Sequence, residues 1–143
     1  AKVYNDQWMM ERGFMDVKTF KDIINSRGVK RLITVEANQT VSDAVELMQK
    51  YNIENIPVLK DGNMVGSISE NGLFNKMMSN GQDIKSKKVE EVAEPAYPVI
   101  SFDTPVERIS SLINKENGAV LAKDDTGNFH IVTKYDVIQA VGK

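Results

Sequence analysis

Two residues three apart, Thr133 and Asp136, stand where an apolar run (Phe129-His130-Ile131-Val132) gives way to a helical pattern (Val137-Ile138-Gln139-Ala140-Val141). A carboxylate at such a corner can accept hydrogen bonds from two hydroxyls of one ligand, and bonds to a charged acceptor contribute about 1.5–3 kcal/mol. Thr133 adds a hydroxyl at the same corner, and Tyr135 an aromatic ring. The carboxylate also has a purely local use, because an acid in the first turn of a helix is stabilised by the helix dipole. Catalytic constellations are scarcer. The chain has no cysteine, which excludes thiol nucleophiles, disulfides and cysteine zinc sites. A single histidine, His130, excludes metal sites built on several imidazoles. Its alternation with Phe129 and Ile131 reads as solvent-facing or half-buried packing in a strand, and no nucleophile marks a partner for it. No G-x-x-x-x-G-K-[ST] loop is present to cradle phosphates. Asp124-Asp125 reads as a turn, since one acidic pair offers too few oxygens for calcium.

The elements that would hold this corner occur twice. Thr40-Val41-Ser42-Asp43 has the form of a capping box, in which a threonine and a carboxylate three residues on satisfy free amides at a helix start. Thr104-Pro105-Val106-Glu107 has the same form 64 residues later, with proline at the first helical position. An amphipathic helix follows each, with Val41, Ala44, Val45 and Met48 on one face in the first copy and Val106, Ile109, Leu112 and Ile113 in the second. Then come β-rich runs, Ile56-Pro57-Val58-Leu59 and Ala119-Val120-Leu121-Ala122. They lead to turns at Asp61-Gly62, a strong hairpin signal, and at Asp124-Asp125-Thr126-Gly127. The return strands, Met64 to Ile68 and Phe129 to Val132, end at Ser69 and Thr133, again 64 apart. Helical patterns close both copies, at Leu73 to Met78 and Val137 to Val141. A strand precedes each box, Leu32-Ile33-Thr34-Val35 and Tyr97-Pro98-Val99-Ile100.

This is an α/β (α+β) fold of two pseudo-symmetric β-α-β-β-α repeats, whose apolar sheet faces two copies can cover. The expected organisation is a leader over residues 1–30, a first repeat over 31–79, a connecting segment over 80–95 and a second repeat over 96–143. In the leader, Thr19-Phe20-Lys21-Asp22 caps a helix near 20–27 that Gly28 ends. In the connecting segment, Val89 to Ala93 reads as a short helix leading into the second repeat. Aligning Ser69 with Thr133 puts Gly72 where Asp136 sits, so the first corner lacks its carboxylate, although Asn71 is adjacent.

The chain has 143 residues, 41% of them hydrophobic, which suits one compact domain or two small joined ones. A chain of this size buries roughly 68–70% of its unfolded surface and needs no disulfide or metal staple. With 18 Lys and Arg against 20 Asp and Glu, the net charge of −2 disfavours nucleic acid as the main partner. Lys85-Ser86-Lys87-Lys88 reads as a solvated linker. No apolar run approaches the ~18 residues of a membrane span and no signal peptide opens the sequence, so a cytoplasmic location is expected. The first residue is alanine, consistent with a piece cut from a longer protein.

The repeat resembles the CBS domain, named after cystathionine β-synthase. The resemblance spans about residues 29–143. It is carried by Ile56-Pro57-Val58-Leu59 with Asp61-Gly62, by Val65-Gly66-Ser67-Ile68-Ser69, and by Ile131-Val132-Thr133-Lys134-Tyr135-Asp136-Val137-Ile138. Val3-Tyr4-Asn5-Asp6-Gln7-Trp8-Met9-Met10-Glu11-Arg12-Gly13-Phe14 resembles the stretch joining the pyridoxal-phosphate (PLP) catalytic domain of bacterial cystathionine β-synthases to their CBS pair. The resemblance implies a tandem CBS pair, or Bateman module, that is a homodimer and regulates a catalytic domain allosterically. The chain would do no chemistry itself. PLP would belong only to the absent catalytic domain of a lyase of cysteine metabolism. The apolar leader, Trp8, Met9, Met10, Phe14 and Met15, would pack either on this module or on that domain.

CBS pairs commonly bind adenosyl compounds between their copies, and the resemblance implies such a site here. Asp136 would accept the ribose hydroxyls, with Val132, Thr133 and Tyr135 beside it. Arg31, Leu32 and Ile33, together with Ile53, Asn55 and Ile56, would form the other wall and the adenine slot. Lys30, Arg31 or Lys134 would meet a phosphate or carboxylate. At the pseudo-symmetric position Tyr97 and Pro98 would crowd the slot, leaving one competent site. Scattered cations without a phosphate loop lean toward S-adenosylmethionine, with AMP or ATP as the alternative. A ligand-independent assembly module and an AMP/ATP energy sensor remain the rival readings.

Overall fold

A computed structural model describes residues 17–80 and 83–141. The Trp8 leader motif therefore lies outside the described residues. The chain divides into two compact units, one of residues 33–97 and one combining the segment before 33 with residues 98–143.

In the unit of residues 33–97, strand β1 (Val35–Glu36) pairs in parallel with β2 (Asn55–Lys60), which pairs antiparallel with β3 (Asn63–Ser69). Asp61 and Gly62 both take positive φ, 52° and 79°, as the tight hairpin between β2 and β3 demands. Helix α2 (Val41–Tyr51) crosses from β1 to β2, and α3 (Glu70–Asn80) follows β3 directly. The core is Val35, Val41, Ala44, Met48, Ile56, Val58, Ile68 and Leu73, joined by Ile84, Val89 and Val92. The last two lie on α4 (Val89–Val92), so this helix packs with the first repeat's elements and does not lead into the second. The reason is local. The carbonyls of Lys85 and Lys87 accept from the free amides of Ser42 and Val41 at 3.0 and 2.9 Å, which draws the segment across the start of α2. The lysine run is thus part of a helix cap, not merely a solvated linker.

The other unit repeats the plan. Strand β4 (Val99–Ile100) pairs in parallel with β5 (Ala119–Lys123), which pairs antiparallel with β6 (Phe129–Thr133). Helix α5 (Val106–Leu112) crosses between β4 and β5, and α6 (Lys134–Val141) follows β6. The part played by α4 falls here to α1 (Phe20–Arg27). Phe20, Ile23 and Ile24 are buried with Val106, Ile109, Val120, Ala122 and Val132. The amide of Val106 donates to Lys18 at 2.8 Å, as Val41 does to Lys87. Both halves of the expected Thr19–Asp22 capping box are formed, and Gly28 ends α1 at a φ of 93°.

Two expectations need correction. The strands before the boxes are shorter than the apolar runs: Leu32 to Thr34 and Tyr97 to Pro98 stay irregular, and pairing starts at Val35 and Val99. Thr104 is not a cap. Thr40 makes the full reciprocal box with Asp43, whereas Pro105 caps α5 without a side-chain bond. An extra residue between β4 and α5 moves the cap, so Thr40 corresponds to Pro105. The amide of Phe20 bonds the Thr104 carbonyl instead, at 2.9 Å.

Candidate functional site

Strand β6 ends on Thr133 and α6 begins at the next residue, which places Asp136 in the first turn of the helix. Asp136 Oδ2 accepts from the Thr133 amide at 3.0 Å and from its hydroxyl at 3.2 Å, and the Asp136 amide donates back to Thr133 Oγ1 at 3.4 Å. The local use of the carboxylate is therefore real. A third donor reaches the same oxygen. Arg27, in the last turn of α1, places Nη1 2.5 Å from Asp136 Oδ2, the two side chains being 15% and 11% exposed. Its Nε is buried without a hydrogen-bond partner among the described residues. Three donors converge on Oδ2, while Oδ1 has no hydrogen-bond partner among the described residues.

Beside this pair opens a cleft of about 220 Å³, lined chiefly by Ser26, Arg27, Lys30, Tyr135, Asp136 and Gln139. Tyr135 is largely exposed at its rim. The cleft offers two cationic groups, a carboxylate with one oxygen unengaged among the described residues, a phenol and an amide. That set can hold a polar ligand carrying both hydroxyls and an anionic or zwitterionic tail.

The other expected site residues are distributed as follows. Val132 is fully buried in the core with Phe20 and Ile24, so it is not open to a ligand. Arg31 is exposed and Leu32 half-buried, both in the unit that holds Asp136. Ile33, Ile53, Asn55 and Ile56 belong to the other unit. There Ile56 is core, Ile53 packs at the core's edge, and Asn55 Oδ1 accepts from the Tyr97 hydroxyl at 3.0 Å. Tyr97 is itself buried, and that burial pushes its phenol well above the ordinary tyrosine range.

The first repeat's corner does not lack a carboxylate, contrary to the expectation from Gly72. The Gly72 amide donates to Ser69 Oγ at 2.9 Å, and Ser69 Oγ donates to Glu94 Oε1 at 3.0 Å. A Cβ on Gly72 would collide with Glu94 Oε1 and lie 2.8 Å from Glu94 Cδ. Glu94 thus fills the space that a side chain at position 72 would occupy. Its own backbone is fastened to Ser67 by two hydrogen bonds of 2.9 Å, at the free edge of β3.

His130 packs, as expected of a strand residue, but it is buried rather than solvent-facing or half-buried. Its Nε2 lies 2.8 Å from Asp124 Oδ2, and its ring lies 5.6 Å from that of Phe102. Asp124 also accepts from the Thr126 amide and hydroxyl and from the Asn128 amide, so the turn and the imidazole share one carboxylate. Sequence reasoning missed Arg27 and Glu94. Arg27 carried only the weak signal of a basic residue in a last helical turn, and Glu94 carried none.

Residues 20–79 match the family model described as the CBS domain. The chain carries a CBS domain. A CBS domain pair solved in complex with 5′-methylthioadenosine and S-adenosylmethionine superposes with a TM-score of 0.70 at 25% identity, over 88% of this chain and 97% of that one. The mixed α/β architecture with two three-stranded sheets is therefore that of CBS-domain pairs. The chain is also similar to cystathionine β-synthase of Dictyostelium discoideum, 24% identical over 96% of this chain and spanning only 31% of that enzyme. A mitochondrial CBS domain-containing protein of Arabidopsis thaliana, CBSX3, is 29% identical over 93% of this chain and 68% of its own length. Among the described residues no helix is long and apolar enough to cross a membrane, and no three His, Cys, Asp or Glu side chains gather to hold a metal ion.

Proposed function

We propose that this CBS pair is a regulatory, non-catalytic module that binds an adenosyl compound at the Thr133–Asp136 corner. The observation that carries the reading is that corner itself, a carboxylate with one oxygen unengaged among the described residues, beside a cleft rimmed by Tyr135. The proposed ligand is S-adenosylmethionine, supported by the similar pair solved with that compound and its methylthio relative. The mixed charge of the cleft, Arg27 and Lys30 against Asp136, suits a zwitterionic tail better than a polyphosphate. The similarity to a cystathionine β-synthase over most of this chain supports a role as the allosteric module of a cytoplasmic PLP enzyme of that kind. Helices α3 and α6 expose Phe74, Met77 and Met78 and Ile138 and Val141, which supports a homodimer formed through these helices.

The test is isothermal titration with S-adenosylmethionine, AMP and ATP, on the wild type and on Asp136→Ala. Binding of one adenosyl ligand, weakened roughly 10–100-fold in Asp136→Ala, is expected from the loss of one charge-assisted contact. No binding by any of the three, in folded wild type and in a folded variant in which Arg27 no longer engages Asp136, refutes it. That outcome would favour the second reading, a ligand-independent assembly module, for which the engagement of Asp136 by Arg27 and Thr133 already speaks.

A further inference from the structure

The arginine on Asp136 is not part of the local capping pattern, since the Thr133 amide and hydroxyl complete that pattern without it. It comes from α1, outside the β-α-β-β-α repeat, and it claims the carboxylate oxygen that a diol would need. A vicinal diol engages a carboxylate best with one hydroxyl on each oxygen. Oδ2 already holds three donors, so a ligand finds only Oδ1 open while Arg27 stays in place. The locked pose is also incomplete, because the Arg27 Nε is buried without a partner. A guanidinium that forms an ion pair yet leaves one donor unsatisfied can gain by moving when another donor replaces it. Gly28, immediately after Arg27 and at positive φ, marks the end of the helix, and the cleft beside Arg27 gives the side chain room to swing.

We infer that Arg27 is an internal competitor for the adenosyl site: it occupies Asp136 in the empty module and must leave Oδ2 for a ribose to bind with both hydroxyls. The inference rests on the reading of Asp136 as the ligand carboxylate and names the regulation of that site. Its consequence is that binding severs a tie between α1 and α6, so occupancy of the corner is felt by the segment preceding the first repeat. A ligand acts on an equilibrium only through such a difference between two states.

The experiment titrates S-adenosylmethionine, AMP and ATP into the whole chain as wild type, Arg27→Met, Asp136→Asn and the double variant, with folding checked by thermal melting. Arg27→Met is expected to bind roughly tenfold tighter than wild type, the size of one charge-assisted contact regained. The gain should vanish in the double variant, which should bind no better than Asp136→Asn alone. A merely structural arginine would not produce a gain that depends on Asp136. Binding by Arg27→Met where wild type shows none supports the inference equally. Unchanged or weaker binding by folded Arg27→Met overturns it while leaving the site intact. Silence from wild type and every folded variant refutes the site and the competitor together. Should Arg27→Met not fold, Arg27→Lys carries the test. It keeps the charge and loses the planar fork, so it should also bind more tightly than wild type, and equal or weaker binding refutes the inference.

Discussion

The Arg27–Asp136 pair should be strongly asymmetric when its two members are removed one at a time. Asp136→Ala deletes the acid of the α6 cap, a loss of about 1 kcal/mol. It also strands a guanidinium that is only 15% exposed and already has one unsatisfied nitrogen. Orphaning a fully buried partner costs about 3–5 kcal/mol, but Arg27 sits at a helix end beside a cleft and can turn toward water, which limits this part to about 2 kcal/mol. The expected total is about 3 kcal/mol. Arg27→Met leaves Asp136 with the Thr133 amide, the Thr133 hydroxyl and the helix dipole, so its loss should be about 1 kcal/mol. The double variant has neither stranded charge and should lose only about 2 kcal/mol, less than the sum of the single losses by about 2 kcal/mol. Urea denaturation followed by circular dichroism on the four proteins measures all of these, with equal slopes confirming that only stability has changed. Equal single-variant losses that simply add, within about 0.5 kcal/mol, would show that the pair is not energetically coupled and would remove the physical basis for a lock at this corner.

Three further outcomes are expected. Gly66→Ala should destabilise by about 1–3 kcal/mol in thermal or urea melts, because the new Cβ would lie 3.0 Å from the Glu94 carbonyl and 3.1 Å from Ala93 Cβ, backbone and short side chain that cannot step aside. In a spectrophotometric alkaline titration one tyrosine should ionise well above the ordinary tyrosine range, since burial holds Tyr97 in its neutral form; Tyr97→Phe should abolish that late phase, and an unchanged curve would contradict the assignment. Asp124 is held below the usual carboxylate range first by the Thr126 hydroxyl and then by His130. A depressed folded value means stability that is complete above the unfolded value near ~3.9 and is lost as pH falls below it. Asp124→Asn should therefore flatten the acid limb of the stability profile below about pH 4, and parallel limbs in the two proteins would refute this.

The parts of the molecule legible in the sequence are those that local rules determine. Thr19 and Thr40 are followed three residues later by aspartate, and both reciprocal capping boxes form. Asp61-Gly62 marks the hairpin because the turn needs two positive φ values. The strand-to-helix corners at Ser69 and Thr133 lie where alternation turns into helical periodicity. What could not be read is what depends on a distant partner. Thr104 has the composition of a cap, yet an inserted residue moves it off the helix and a backbone bond to Phe20 takes its carbonyl. His130 alternates like a half-exposed strand residue, but Asp124 and Phe102 close over it. Nothing near Asp136 in the chain announces an arginine 109 positions earlier.

The two corners show how one framework supports two different behaviours. In each, a hydroxyl residue ends a strand, accepts from the amide three residues later and donates to a carboxylate. At Thr133 the carboxylate belongs to the helix itself, and its extra partner, Arg27, is attached to it through side chains alone. A rotation of one arginine exposes it. At Ser69 the carboxylate belongs to Glu94, whose amide and carbonyl are both bonded to Ser67 while Ser67 Oγ donates to the Pro95 carbonyl at 2.7 Å. The backbone that carries this carboxylate is held by an isolated bridge at the free edge of β3, and a side chain at position 72 would push the carboxylate aside. Moving the Glu94 backbone would break that bridge, each bond contributing about 0.5–1.5 kcal/mol, whereas the carboxylate alone can turn about the side-chain torsions of Glu94. Both corners can therefore exchange a partner by a side-chain movement, that of Arg27 at Thr133 and that of Glu94 itself at Ser69. The repeat preserves the shape of the corner, and the source of the carboxylate decides which side chain must turn to open it, the partner at Thr133 or the carboxylate's own at Ser69.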